Sequence, residues 1–120
     1  MTIQLLAVTF DCADAASLGR FWAEALGEEL DEGASPAFAS IGASDAARST
    51  PRWYFAQVPE PKTAKNRMHA DLTTTSLDDE VARLVAIGAT ERNEVEMGTM
   101  RWITLADPEG NEFDVIAQPA

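Results

Sequence analysis

Asp14-Ala15-Ala16-Ser17-Leu18-Gly19-Arg20-Phe21-Trp22-Ala23-Glu24-Ala25-Leu26-Gly27 decides the fold, because the chain repeats its pattern from Ser76 to Gly88. Each stretch opens on a short polar residue, Asp14 or Ser76, of the kind that caps the free N–H groups of a first helical turn. Asp79 falls where a shortened capping box would place it. Leu18, Phe21, Trp22 and Ala25 recur at helical spacing, and so do Leu77, Val81, Leu84 and Val85. Gly27 and Gly88 each follow a branched apolar residue, Leu26 and Ile87, and stop the helix as a C′ glycine does. Starts and stops share a period of about 62 residues, which marks a duplicated unit.

Outward from these helices the pattern changes to strands. Ile3 to Asp11 alternates, with Val8 and Phe10 on one face and Ala7, Thr9 and Asp11 on the other. After the first helix, Glu28–Asp31 and Ala37–Ile41 read as short strands around a turn holding Gly33, Ser35 and Pro36. Gly42–Pro51 reads as a loop and Trp53–Val58 as a strand, closed by Pro59 and Pro61. The second round reads Met68–Thr73, the helix, Thr90–Val95, Met100–Ala106, an Asp107-Pro108-Glu109-Gly110 turn and Asn111–Ile116. The expectation is one α+β domain over residues 1–120, with modules at about 1–60 and 66–118 and a linker at 59–67.

With 120 residues, 46% of them hydrophobic, the chain can fill a single core. Its formal charge of −11 argues against nucleic acid and anionic membranes as partners. One cysteine, Cys12, rules out an internal disulfide and is read as structural. The N-terminal residues carry no basic run and no long apolar stretch, so the expected location is the cytoplasm. There is neither a phosphate-cradling glycine loop nor a nucleophile elbow.

Three stretches resemble glyoxalase/bleomycin-resistance/dioxygenase (vicinal oxygen chelate) proteins. They are Asp14…Arg20-Phe21-Trp22…Leu26-Gly27, Val58-Pro59-Glu60-Pro61-Lys62…Lys65-Asn66-Arg67-Met68-His69-Ala70-Asp71-Leu72, and Asp107-Pro108-Glu109-Gly110-Asn111-Glu112-Phe113. The middle stretch is similar to the glyoxalase-like subgroup. The resemblance implies two βαβββ modules curled into an open, cup-shaped mixed β half-barrel, with helices outside and a small-molecule ligand in the cup. It also implies a homodimer, and in enzymes a divalent metal. The family's metal slots fall on His69, on Asp114 and on the strand Trp53–Val58, where Gln57 is taken first and Tyr54 second. The fourth slot falls on Ala7, which cannot bind metal, so the set His69, Asp114 and Gln57 is incomplete.

Read as residues, His69 and Asp71 alternate onto one face, where a carboxylate two positions away can orient an imidazole for proton transfer. The alternative is a hydrogen-bonded histidine without chemistry. Asp114 reads as a pocket acid or metal ligand, or as a plain acid on an edge strand. Glu112 shares its alternation, and Asp11 is a further wall carboxylate. Lys62, Lys65 and Arg67 are either an anion clamp or a solvated linker in which Arg67 ties the modules together. Trp53, Phe55 and Trp102 are either stacking platforms or core, whereas Trp22 is core. Two functions follow. One is a glyoxalase-like lyase, isomerase or hydrolase acting on a small metabolite through His69 and Asp71, with a degenerate or absent metal site. The other is a non-catalytic drug-binding protein of the bleomycin-resistance type.

Overall fold

The computed structural model describes residues 2–118 and divides the chain at Pro61–Lys62 into two compact units. The first contains β1 (Ala7–Cys12), α1 (Ala15–Leu26), β2 (Phe38–Ile41) and β3 (Arg52–Gln57). The second contains β4 (Asp71–Thr74), α2 (Leu77–Ala86), β5 (Thr90–Met97), β6 (Met100–Ala106) and β7 (Glu112–Ala117). Both sheets are mixed and unclosed, and the fold is α+β.

In the first unit the strand order is β1-β3-β2, with β1 parallel and β2 antiparallel to the central β3. Helix α1 begins where expected, because the Asp14 carboxylate accepts a hydrogen bond from Ser17 N at 3.1 Å. It ends at Gly27, whose φ of 68° is the left-handed turn that lets Glu28 N reach Ala23 O at 2.8 Å. Its stripe covers one face of the sheet. Trp22, fully buried, lies 5.4 Å ring to ring from Phe10 and 5.2 Å from Trp53, and Phe55 is equally buried. Removing the Trp22 ring should cost about 3–5 kcal/mol.

Three expectations for this unit are corrected. The first strand starts at Ala7, and Ile3, Leu5 and Leu6 stand exposed before it, with only the Leu6 carbonyl reached by Arg52 N at 3.0 Å. The segment 28–31 forms no strand; only Asp31 N bonds across, to Ser40 O at 2.9 Å. Asp31 instead uses its side chain. Ser40 Oγ donates to it at 2.7 Å, and the amides of Ala43 and Gly42 donate at 2.9 and 3.3 Å. Thus only two strands follow α1, where about three were expected.

In the second unit the order is β4-β7-β6-β5, with β4 parallel to β7 and the other neighbours antiparallel. Here three strands follow the helix, as expected. Leu77, Val81 and Leu84 of α2 are buried, as are Ile103, Leu105, Phe113 and Val115, one per turn of the pleat on β6 and β7. Arg101 lies on this helix side too, reaching Asp78 at 2.8 Å and also Glu94. Ser76 makes no side-chain cap hydrogen bond, so the capping box does not form; Asp78, Asp79 and Glu80 place negative charge in the first turn instead. The Asn66 side chain accepts from Glu112 N at 2.8 Å and donates to Glu112 O at 3.2 Å, as a strand residue would.

The Asp107–Gly110 turn anchors the β6–β7 hairpin. Asp107, only 3% exposed, accepts hydrogen bonds from the amides of Glu109 and Asn111 at 2.9 and 3.0 Å and from the Asn111 side chain. Gly110 takes the φ of 89° that the turn requires. Among the described residues no helix is long and apolar enough to cross a membrane.

Candidate functional site

The face of the second sheet opposite its buried residues carries a polar row. Register places Asn93 of β5 beside Thr104 of β6, Thr104 beside Asp114 of β7, and Asp114 beside Asp71 of β4. Strands lie about 4.8 Å apart, so this row runs about 14 Å across the sheet. The next row along the strands, Val95, Trp102, Ile116 and Thr73, is mostly apolar. Since one buried face fixes register, the same alternation that sends Ile103, Leu105 and Phe113 inward sends Trp102, Thr104 and Asp114 outward.

At the β4 end the row gathers three ionisable groups. His69 Nδ1 lies 2.8 Å from Asp71 Oδ1 and 3.8 Å from Asp114 Oδ2. Thr104 Oγ1 donates to the other Asp114 oxygen at 2.6 Å, which fixes that carboxylate. His69 stands two residues before β4 rather than on it, yet the ladder already reaches this far, as Asp114 N donates to Ala70 O at 3.0 Å. An ionised carboxylate only accepts, so a neutral His69 carries its proton on Nδ1 and leaves Nε2 as the free basic nitrogen. One donor atom each from His69, Asp71 and Asp114 lies within 4.8 Å of the others. This nitrogen–oxygen set fits a divalent ion with three protein ligands.

The equivalent positions of the first unit follow from register. Tyr54 pairs with Thr9 as Asp114 pairs with Asp71, and the position corresponding to His69 is Ala7. Gln57, the expected third metal ligand, is therefore displaced from the slot. It alternates with Trp53 and Phe55 on the helix-covered face and donates its amide to Ala13 O at 3.0 Å. Tyr54, the second choice, occupies the slot on the opposite face. Trp53, read as either a stacking platform or core, is part of the aromatic core, stacked on Trp22 and 5.6 Å from Phe10.

The remaining candidates are placed as follows. Asp11 is exposed on the Thr9–Tyr54 face of the first sheet, paired with Ala56. Trp102 is half-buried on the face that carries the polar row. Arg67 is exposed on the segment leading to β4. Phe55 is core. Glu112 lies on the same side as Asp114, in an ion pair with Lys62 at 3.1 Å. Burial alone would raise its carboxyl, but backbone hydrogen bonds and the Lys62 ammonium hold it below the usual range. Sequence reasoning missed Thr104, Asn93 and Arg92. Their signal lies in cross-strand pairing, which no local spacing shows.

A family model, glyoxalase-like domain, matches residues 7–116. No curated protein sequence matches the chain significantly. Among solved structures, a glyoxalase/bleomycin resistance protein/dioxygenase family enzyme from Burkholderia phytofirmans PsJN aligns with a TM-score of 0.76 at 18% identity, covering 96% of this chain and 98% of its own. The fosfomycin resistance protein FosX from Listeria monocytogenes aligns at 0.74 and 15% identity, covering 99% and 96%. The bleomycin-binding protein of Streptomyces verticillus, solved with copper(II)-bleomycin, aligns at 0.62 and 20% identity, covering 98% and 100%. At these identities the structures share the fold, and the family model carries the assignment. The chain belongs to the glyoxalase-like domain family.

Proposed function

We propose that this chain is a glyoxalase-like enzyme acting on a small molecule, with His69, Asp71 and Asp114 as its reacting centre. The observation that carries this reading is the 2.8 Å contact between His69 Nδ1 and Asp71, which presents Nε2 for proton transfer. Asp71 orients the ring and selects its tautomer. Asp114, 3.8 Å away, is held in place by Thr104. The same three residues would hold a divalent ion, which would supply Lewis-acid polarisation of a substrate oxygen when bound. Trp102 and Ile116 border the polar row and offer an apolar bed for the rest of the ligand. In the same reading the enzyme is a cytoplasmic homodimer, as the family resemblance and the composition suggest.

The test exploits the single histidine, whose ring nitrogens are read without ambiguity in a 1H–15N correlation spectrum, before and after Zn²⁺ is added. The expected result is a proton on Nδ1 in metal-free protein, redistributed in Asp71→Asn, a ring shifted by stoichiometric Zn²⁺, and turnover of a small-metabolite panel abolished by His69→Ala. A ring that behaves identically in the wild type and Asp71→Asn, or turnover that survives His69→Ala, would sink the proposal. Stoichiometric capture of a ligand without product would favour a sequestering protein.

A further inference from the structure

Beside β5 the second unit has a pocket of about 560 Å³, lined by Lys62, Lys65, Arg92, Asn93, Thr104 and Glu112 among others. It opens at the end of the polar row away from His69 and shares Thr104 with the reacting centre. Its charges are unevenly matched. Lys62 is paired with Glu112 and also donates to Ala64 O, so it is already occupied. Among the described residues, the side chains of Lys65 and Arg92 make neither an ion pair nor a hydrogen bond with protein groups. Two unmatched cations around one concavity stand out in a chain of net charge −11.

Arg92 is there because of a local irregularity. The register of β5 on β6 steps from Glu91–Leu105 to Asn93–Thr104, leaving Arg92 as the extra residue of a β-bulge. A bulge re-aims a side chain that the regular pleat would send elsewhere. Here it lets Arg92 and its neighbour Asn93 line the same pocket. Two carboxylates, Glu109 and Glu112, also line the pocket, so the lining is three cations to two acids, and its guanidinium, ammonium, amide and hydroxyl donors match the acceptor-rich shape of a carboxylate or phosphate.

We infer that this pocket holds the anionic end, a carboxylate or phosphate, of the small molecule that reacts at His69. The inference rests on the proposed reacting centre and adds the substrate class, a small organic anion. Its charged group sits on Lys65 and Arg92, and Thr104, which lines the pocket and bonds Asp114, joins that end to the reacting centre.

The test is a 1H–15N titration with inorganic phosphate, and then with acetate, at constant ionic strength. The proteins are the wild type, the Lys65→Gln/Arg92→Gln double variant, Lys65→Arg and His69→Ala. Both basic residues are exposed, so these substitutions leave the fold intact. The expected result is saturable shifts confined to residues 62–65, 92–93, 104 and 110–112, with affinity at least about tenfold weaker in the double variant and kept in Lys65→Arg. The probe that binds tighter names the anion. Shifts that do not saturate, or a double variant that binds as tightly as the wild type, would overturn the inference. His69→Ala separates the two proposals. Phosphate bound in this variant keeps the subsite even if turnover never depended on His69, and an active His69 beside a pocket blind to both anions discards the subsite alone.

Discussion

Asp31 shows how one carboxylate can replace a missing strand. Burial would raise its pKa, but hydrogen bonds from the Ala43 and Gly42 amides and Ser40, with the charge of Arg48, hold it below its ordinary value of 3.8. A depressed folded-state pKa stabilises the fold above the unfolded pKa, and that contribution fades as the pH falls through the lower folded value. Asp31→Asn should therefore lose about 1 kcal/mol near neutral pH, with the gap to the wild type closing below about pH 4 in urea melts. The structure brings together His69, Asp71 and Asp114, candidates that the sequence offered, the first two through strand alternation and Asp114 through a slot implied by the family resemblance. Gln57 was misread because the parity of β3 depends on which residues reach α1. Thr104 and Arg92 were invisible for a related reason, since cross-strand register and a bulge join residues far apart in the chain.

The two helices illustrate how far a periodic pattern carries. Both lie where the apolar stripe and the stop glycines placed them, because burial of one face determines a helix more strongly than its end chemistry. Their caps diverge: Asp14 bonds Ser17 N, whereas Ser76 makes no such bond. Gly27 has open space around its Cα, so a substitution there is felt only through its left-handed backbone. Gly27→Ala should cost about 1–2 kcal/mol without repacking, seen as a lower Tm with unchanged side-chain spectra away from residues 23–28. Segment 28–31 lay beyond sequence reading. Its apolar and acidic residues allow a strand, but Asp31 draws the chain into a side-chain network instead.

At the scale of the whole molecule, the charge of −11 sets the response to solution conditions. Self-repulsion in the compact state falls as salt screens it, so the melting temperature should rise by a few degrees between about 0.02 and 0.5 M NaCl. Scanning calorimetry across that range checks this, and a flat or falling curve would show that local ion pairs such as Arg101 with Glu94 and Asp78 dominate instead.

The polar row is assembled from four strands, and the two central ones, β6 and β7, send alternate residues into the core. If β6 slipped by one residue, Ile103 and Leu105 would take the outward places of Trp102 and Thr104, and the core would lose its filling in the same step. Assembly errors at the site are thus exposed as unstable protein. The packing of the sheet proofreads the polar row, and a molecule that folds at all presents Asp71, Asp114, Thr104 and Asn93 in that order.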